Sequence, residues 1–304
     1  MLNKWKKILR RSIGYIKMSH KKTENSEEDY QCDPAIVKLK EKITQLGTKR
    51  NSRVVLLFLE DEINYYTALN FLNILRKEPQ IKRLDLILES SGGDLVMAVK
   101  IAHICKSYSE EFTVIVPFYA KSAASIIALS ADNLILNTAG ELGPIDPQIK
   151  HPAFDMYFPA SSIKNALEFI ESSKDPYIKM TMADKLDPLL IGAYNQTIEE
   201  SKQYLNELPK IDRLSNKDEI IKVFTEKYVD HGYPITYKIF KQLKLDFVSR
   251  IEDKDEENLI YDIHELAIDF LSNNELGGLI LTQNTIKISE FQEEKDENLP
   301  EEIE

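Results

Sequence analysis

Three short apolar runs in the first half of the chain are each followed by a turn of small residues. The runs and their turns are residues 86–89 with 90–94, residues 114–117 with 120–125, and residues 134–137 with 142–148. Short apolar runs bounded by glycine, serine and proline are typical of buried parallel strands. The carboxyl ends of parallel strands meet at one edge of an open α/β sheet, and catalytic groups collect there. We therefore expect the three turns to lie side by side.

Strand and helix patterns alternate on both sides of these turns. Strand patterns cover residues 53–59, 84–89, 113–117 and 133–137, and helical patterns cover residues 35–46, 63–77, 95–107 and 120–131. This alternation predicts an α/β fold with a parallel sheet, right-handed crossovers and helices on both sides. Later helical patterns cover residues 161–172, 183–208, 217–229 and 236–243. They predict an outer layer of helices that packs subunits together.

Composition divides the chain into three segments. Residues 1–33 form a basic amino-terminal arm and linker, residues 34–250 carry the α/β pattern, and residues 251–304 form a helical and charged extension with an acidic tail. The arm has apolar residues near helical spacing, opposite most of its basic residues. They are Leu2, Trp5, Leu9, Ile13 and Ile16. Such a segment is expected to contact the inner face of a membrane peripherally, to pack on a subunit, or to stay a disordered basic arm.

Charge and cysteine content argue against several classes of function. The formal net charge of −11 disfavours nucleic-acid binding, which needs a basic face. Cys32 and Cys105 are too few for a disulfide framework or a zinc site, and Cys105 fits the buried face of a helix. We therefore expect a cytoplasmic protein of a reducing compartment, without metal or cofactor. The sequence has no phosphate-binding Gly-x-x-x-x-Gly-Lys-Ser/Thr motif, so energy-driven unfolding of a substrate would need a partner chain.

Gly92 and Gly93 directly follow a predicted strand. Without Cβ atoms, their backbone can approach a substrate closely and turn its N–H groups inward. Two such N–H groups can form an oxyanion hole for a tetrahedral intermediate. A tight turn, or an anion site at the amino terminus of the next helix, would have the same sequence.

Ser122 lies at a predicted strand-to-helix turn between small residues. The N–H of Ala123 can join that of Gly93 in one oxyanion hole, and the alanines around the serine leave room for a carbonyl group. These features predict a serine nucleophile. The alternative is that Ser122, or Ser125, only caps the helix.

A serine nucleophile needs a base, and the residues alone leave its identity open. His151 lies near the third turn and is the best histidine candidate, whereas His103 falls inside a helix and His231 is expected to be a loop or cap residue. The other option is a lysine kept neutral by burial. Lys121 adjoins the serine, but neighbouring side chains at a helix start diverge. Lys164, at the start of a later helix, is therefore the lysine candidate.

These segments together resemble the ClpP/crotonase superfamily, and more closely the serine dehydrogenase proteinase (SDH proteinase) family, which is related to signal peptide peptidase A. The matching segments are residues 90–94, 117–125, 131–136, 142–148 and 231–236. The string Leu-Gly-Pro-Ile-Asp-Pro-Gln at residues 142–148, after the other turns, is the most specific of them. The resemblance implies a ClpP/crotonase-like serine peptidase domain of ββα units over residues 34–250, and a ring or larger homo-oligomer.

The resemblance also assigns roles to residues of the first two turns. The nucleophile maps to Ser122, and the oxyanion hole maps to the N–H groups of Gly93 and Ala123. Two departures from the family pattern remain. Ser91 stands where proline is usual, which loosens the turn, and Ala124 stands where glycine is common, which narrows the site. Neither departure removes a catalytic atom.

The same resemblance implies a lysine base on a later helix, which maps to Lys164, with His151 as the alternative base. The first hypothesis is therefore a serine peptidase with a Ser122–Lys164 dyad, acting on a peptide or protein substrate. A second is a crotonase-like acyl-CoA enzyme that uses the oxyanion hole without a nucleophile. A third is a non-catalytic oligomeric scaffold in which Ser122 is only a helix cap.

Overall fold

The computed structural model describes residues 30–291, apart from residues 79, 151–156 and 229. Its helices are α1 Pro34–Arg50, α2 Tyr65–Leu75, α3 Leu95–Tyr108, α4 Ala123–Leu129, α5 Ser161–Ser172, α6 Pro176–Ala183, α7 Pro188–Asn206, α8 Pro209–Asp212, α9 Lys217–Thr225, α10 Tyr237–Gln242 and α11 Lys254–Asn273. Its strands are β1 Arg53–Leu59, β2 Ile81–Ser90, β3 Ser109–Val116, β4 Tyr119–Ala120, β5 Asn133–Leu136, β6 Glu141–Leu142, β7 Gln148–Lys150, β8 Tyr157–Pro159, β9 Ile235–Thr236, β10 Val248–Arg250, β11 Leu276–Leu281 and β12 Ile286–Glu290.

The main sheet is mostly parallel. Its strands lie in the order β10-β5-β3-β2-β1-β11-β12, and the pairs from β10 to β1 are all parallel. A helix follows β1, β2 and β4 and returns the chain to the same end of the sheet, which is how parallel neighbours must be connected. The predicted α/β fold with a ClpP-like parallel sheet is confirmed.

Two hydrophobic cores lie on opposite faces of this sheet. On β1, Val55 and Leu57 pack into one core and Leu56 and Phe58 into the other, because successive side chains of a strand point to opposite faces. Helices α2, α3 and α4 cover the first face, and α1 and α11 cover the second. Cys105 on α3 is fully buried in the first core, as its helical spacing predicts.

The helical pattern assigned to residues 251–304 leaves out two strands. β11 pairs antiparallel with β1, with Leu57 opposite Ile280, and β12 pairs with β11. Every residue of β11 is buried. A fully buried strand has no alternation of polar and apolar residues, so its apolar run cannot be distinguished from a helical segment by periodicity. Pairing with β1 is what makes it a strand.

The helix predicted over residues 183–208 begins later than expected, at Pro188, and is α7. α6 ends at Ala183, and α7 begins at Pro188 after a cap at Asp187, whose carboxylate accepts a hydrogen bond from the N–H of Leu189 at 2.8 Å. Proline has no N–H to donate and fits the first turn of a helix better than its interior. The later start of α7 therefore follows from Pro188 and its capping aspartate.

Three features singled out in the sequence lie outside the described residues. They are the basic amphipathic segment of the amino-terminal arm, His151, and most of the acidic tail. Within the described part of the chain, no helix has the length and hydropathy that a membrane span requires.

Candidate active site

A row of short strands extends the sheet where β2 ends. Ser90 of β2 pairs with Ala120 of β4, Ala120 with Leu142 of β6, and Leu142 with Ile235 of β9. These four residues lie on adjacent strands, and each adjoins a loop. The row brings the three small-residue turns together, as expected. It also adds a fourth loop, the one that precedes Ile235.

The glycine turn needs both of its glycines. Gly92 has φ of 115° and Gly93 has φ of 132°, in the region that side chains rarely adopt. A Cβ atom on Gly93 would lie 2.5 Å from both the nitrogen and the oxygen of Ile63. The N–H of Ile63 donates to the carbonyl of Gly92 at 2.7 Å, and the N–H of Asp94 donates to the carbonyl of Ile63 at 2.8 Å. These bonds fix the orientation of the turn.

Ser122 has a strained backbone at the start of α4. Its φ of 47° and ψ of −123° lie outside the regions that ordinary residues occupy, and its side chain makes no capping bond to the helix. Such strain costs about 1–3 kcal/mol and is found where function requires it. A serine on a sharp strand-to-helix turn is the arrangement that exposes a nucleophile in several hydrolase folds. The geometry therefore argues against the simple helix cap.

Ser125 has a structural position instead. It is fully buried, and its Oγ lies 2.9 Å from the carbonyl oxygens of both Ala120 and Gly143. The same Oγ accepts a hydrogen bond from the N–H of Gly143 at 3.2 Å. Ser125 thus ties the second turn to the third and has no free face for a substrate.

The glycine and serine turns approach each other closely. A Cβ atom on Gly92 would lie 2.7 Å from the Cβ of Ser122 and 3.1 Å from the nitrogen of Ala123. The N–H of Gly92 donates to Ser90 Oγ at 3.1 Å. Within the described ranges, the N–H groups of Gly93 and Ala123 have no acceptor. Two N–H groups left without acceptors beside a serine suit an oxyanion hole.

A cavity of about 380 Å³ opens over these groups. The turns contribute Ser91, Gly92, Gly93, Ser122 and Ala123 to its lining. Three apolar residues, a glutamine, two hydroxyl residues of α7, two carboxylates and a histidine complete the lining: Leu95, Ile145, Pro147, Gln148, Thr197, Ser201, Glu62, Glu200 and His231. A concave site with an apolar wall and a few polar groups is the usual form of a substrate site.

His231 was assigned to a loop or cap in the sequence, and the structure places it in the cavity with Ser122. Its loop enters β9, and the pairing of Ile235 with Leu142 brings that loop to the row of turns. The side chain is half-buried, and its Nδ1 is buried without a hydrogen-bond partner among the described residues. In the sequence, the only indication of a role for His231 was its position in the family-like motif of residues 231–236.

Lys164 lies elsewhere in the described protomer. It is an exposed residue of α5 and does not line the cavity. Its ammonium group acts on Glu226: a hydrogen bond from Lys202 is the main cause that lowers the pKa of this carboxylate, and the charge of Lys164 adds to it. The predicted Ser122–Lys164 dyad therefore stays a prediction. His103, expected to be structural, is an exposed residue of α3.

A second histidine, His264 on α11, meets a buried carboxylate on the opposite face of the sheet. Its Nε2 lies 2.7 Å from Oε2 of Glu89, which is 4% exposed and precedes Ser90 on β2. Burial raises the pKa of Glu89, and the contact with His264 opposes that shift. Burial likewise raises the pKa of Tyr119 to about 12. In the part of the chain that the structure covers, no three His, Cys, Asp or Glu side chains could hold a metal ion.

Several solved structures resemble this fold. ClpP1 from Listeria monocytogenes matches with a TM-score of 0.43 and 16% identity, over 70% of this chain and 97% of that one. A mutant of 1510-N, a membrane-bound stomatin-specific protease, matches with a TM-score of 0.42 and 16% identity, over 67% of this chain and 82% of that one. The ClpP protease catalytic domain from Plasmodium falciparum matches with a TM-score of 0.40 and 16% identity, over 77% and 97% of the two chains.

Curated relatives of similar length come from Methanocaldococcus jannaschii. The uncharacterized protein MJ0137 is 30% identical over 238 residues, 74% of this chain and 76% of that protein. The uncharacterized protein MJ1495 is 28% identical over 243 residues, 74% of each chain. The family model of ClpP-like SDH-type serine proteinases matches residues 28–273, which include every part of the cavity. The chain therefore belongs to the family of ClpP-like SDH-type serine proteinases.

Proposed function

We propose that the chain hydrolyses peptide bonds with Ser122 as the nucleophile and the N–H groups of Gly93 and Ala123 as the oxyanion hole. One observation carries the proposal: Ser122, with its hydroxyl unused by the helix, shares a cavity with these N–H groups and with His231. Membership of a serine proteinase family supports it. The substrate is a peptide or an unfolded protein segment that can enter the cavity.

The reaction follows from these groups. A base takes the proton of the Ser122 hydroxyl while Oγ attacks the carbonyl carbon, and the resulting oxyanion accepts hydrogen bonds from Gly93 and Ala123. The intermediate collapses to an acyl-enzyme as the C–N bond breaks, and the protonated base gives its proton to the leaving amine. Water, deprotonated by the same base, then attacks the ester carbonyl and releases the acid. Ser122 regains its proton in that step.

His231 is the base that the geometry favours. It lines the same cavity as Ser122, and its buried Nδ1 has no partner in the described ranges. A base must come within hydrogen-bond reach of the proton it abstracts. Lys164 is the alternative base. Lys164 is exposed and does not line the cavity, so to act as the base its amine would have to approach Ser122 and be buried away from water. Contacts with a second copy of the chain could supply that burial.

Labelling with a fluorophosphonate probe, followed by intact mass, distinguishes these bases. The wild type is expected to gain one adduct, and Ser122→Ala is expected to gain none. His231→Ala is expected to label about 10³-fold more slowly, which is the usual contribution of a general base, and Lys164→Ala at the wild-type rate. Circular dichroism of each variant checks that it is folded.

The opposite result for the two base variants would establish the Ser122–Lys164 dyad. Labelling retained in both would move the base to a residue outside this pair, such as His151. A well-folded wild type that gains no adduct would contradict the proposal and favour the non-catalytic scaffold.

We also propose that the chain assembles with copies of itself through α6 and the start of α7. Helix α6 has no buried residue, and Tyr177, Met180 and Leu189 are 73%, 70% and 84% exposed. Exposed apolar patches of this kind mark association surfaces in soluble proteins. The proposed partner is a second copy, because burial there would also cover the helical layer that flanks the cavity.

Light scattering coupled to size exclusion tests this assembly. We expect the wild type to have a multiple of the chain mass of 35.1 kDa. The double variant Met180→Glu, Leu189→Glu is expected to shift toward 35.1 kDa, because two charges in an apolar contact must be desolvated without partners. Lys185→Glu, a charge change at an exposed residue between the two helices, is the control and should leave the mass unchanged. A monomeric wild type would contradict the proposal.

A further inference from the structure

We infer that Lys121 is a positioning residue for this reaction, and that its ammonium group fastens the loop carrying His231 to the turn carrying Ser122. The inference rests on the proposed function for its catalytic consequence, but its structural part does not. Lys121 precedes Ser122 directly in the chain, yet its side chain leads away from the cavity and does not line it.

The ammonium group of Lys121 contacts three acceptors on two other segments. It donates to the carboxylate of Glu141 on β6, to the carbonyl of Leu142 at 3.4 Å, and to the carbonyl of Gly232 at 3.2 Å. Glu141 and Leu142 belong to the strand that pairs with β9, and Gly232 is the residue next to His231. One side chain thus connects the serine turn (residues 120–125), the third turn (residues 142–148) and the loop that carries His231 (residues 230–234), which we call the histidine loop.

The surroundings of Lys121 hold its ammonium group in one place. Its side chain is 15% exposed and that of Glu141 is 27% exposed, so the pair is shielded from water far better than a surface pair. An ammonium group has three donors, which match the three acceptors. The stem is held as well, because a Cβ atom on Gly143 would lie 2.5 Å from Cδ of Lys121. Because its methylene chain is packed and its ammonium group is hydrogen-bonded, the Lys121 side chain is held in one orientation.

The histidine loop has few other ties to the serine turn. Asp230 closes the loop on itself, accepting from the N–H of Gly232 at 2.8 Å and from that of Tyr233 at 3.0 Å. The ring of Tyr233 stacks on that of Tyr228, five residues earlier in the chain, with the ring centroids 3.7 Å apart. This contact does not reach the serine turn either. Asp230, Gly232 and Tyr233 are exposed. The bond from Lys121 to Gly232 therefore joins a solvent-facing loop to the nucleophile, and its loss should let His231 move away from Ser122.

Lys121→Met keeps the apolar stem and removes the ammonium group. We expect the amides of residues 230–235, apart from Pro234, to exchange with deuterium about tenfold faster in this variant, because local opening becomes easier. We expect Ser122 to label with a fluorophosphonate about 30-fold more slowly, since a misplacement of about 1 Å in a catalytic group has effects of this size. Lys100→Met, at an exposed position of α3, is the matched control and should change neither rate.

Two further variants keep the test interpretable if Lys121→Met folds poorly. Lys121→Arg retains a cation that can reach the same acceptors, so it should label within about threefold of the wild type. Glu141→Gln keeps a hydrogen-bond acceptor but removes the negative charge, and should show a smaller loss than Lys121→Met. A role in mere folding would not produce this order at temperatures where all variants are folded.

A double-mutant cycle with His231→Ala identifies the residue through which Lys121 acts. If Lys121 acts by holding His231, Lys121→Met should cost less than about twofold in labelling once His231 is already alanine. An equal 30-fold loss in both backgrounds would overturn the positioning role. Exchange of residues 230–235 that stays at the wild-type rate in Lys121→Met would overturn the structural tie itself.

The proposed reaction and the positioning role of Lys121 are contradicted by different results. If the folded wild type does not label at all, the proposed function fails, and the catalytic role of Lys121 is overturned with it, although the exchange experiment would still reveal the tie. If the wild type labels and Lys121→Met labels equally fast despite faster exchange, only the positioning role is overturned.

Discussion

Ser122→Ala is expected to reduce peptide hydrolysis by about 10⁴-fold or more, the loss seen when a nucleophilic serine is removed from a hydrolase. Residual activity would come from binding and the oxyanion hole, which the substitution leaves intact. The measurement is the initial rate of cleavage of an unfolded, fluorescently quenched polypeptide. Turnover that survives in Ser122→Ala would exclude Ser122 as the nucleophile.

Ser125→Ala is the matched control, since it removes a hydroxyl three residues further along. Ser125 is buried and contacts two carbonyl oxygens and one N–H group. We expect its loss to lower the free energy of unfolding by about 1–3 kcal/mol, because those buried groups lose a partner. Ser125→Ala should still gain the probe adduct. Comparison of the two variants would then separate effects on stability from effects on catalysis.

Because the backbone at Ser122 is strained, one substitution there is expected to stabilise the fold while it removes activity. Glycine tolerates the φ of 47°, so Ser122→Gly should raise the free energy of unfolding by about 1 kcal/mol while abolishing hydrolysis. Ser122→Ala keeps a Cβ atom and should leave stability nearly unchanged. Denaturant unfolding of the two variants measures the difference. Equal stabilities would contradict a strained backbone at this position.

Gly93→Ala is expected to have the second-largest effect, on both activity and stability. The new Cβ atom would lie 2.5 Å from backbone atoms of Ile63, which no side chain motion can relieve, and φ at this position is 132°. The turn must shift, which moves the N–H of Gly93 out of the oxyanion hole. Loss of one such donor costs about 10²–10³-fold in kcat. We expect that loss in the hydrolysis rate, with a lower midpoint of thermal unfolding.

Gly192→Ala is the matched control for this substitution. Gly192 lies within α7, and no atom lies within 4 Å of the position its Cβ would take. Replacing a helical glycine by alanine stabilises a helix by about 0.5–1 kcal/mol, so this variant should unfold at a slightly higher temperature and hydrolyse normally. Wild-type activity in Gly93→Ala would contradict the oxyanion role of Gly93.

Much of the fold and the core of the site can be predicted from the sequence, because they depend on local patterns. The strand at Arg53–Leu59 and the helix at Ser161–Ser172 occupy the predicted bounds. The consecutive glycines and the serine between small residues mark the two turns, because few other structures would require these residue types directly after a strand. Order along the chain was enough to place both turns at one edge of a parallel sheet.

The remaining features depend on contacts between distant parts of the chain. Strand β11 is defined by its pairing with β1, more than 200 residues earlier in the chain. His231 reaches the cavity only because Ile235 pairs with Leu142, a short-strand contact that leaves no periodic signal. Lys121 turns away from its neighbour Ser122 to bind the histidine loop.

The sequence by itself determined the α/β fold, the paired glycine and serine turns and the family, because strand propensity, glycine conformation and motif order are local properties. Tertiary structure decided which ionisable side chains share a cavity with the serine. The family resemblance implies Lys164, whereas the cavity contains His231. Distance in space is set by strand pairing and packing rather than by sequence separation. The proposal of His231 as the base therefore rests on a long-range contact that no local pattern encodes.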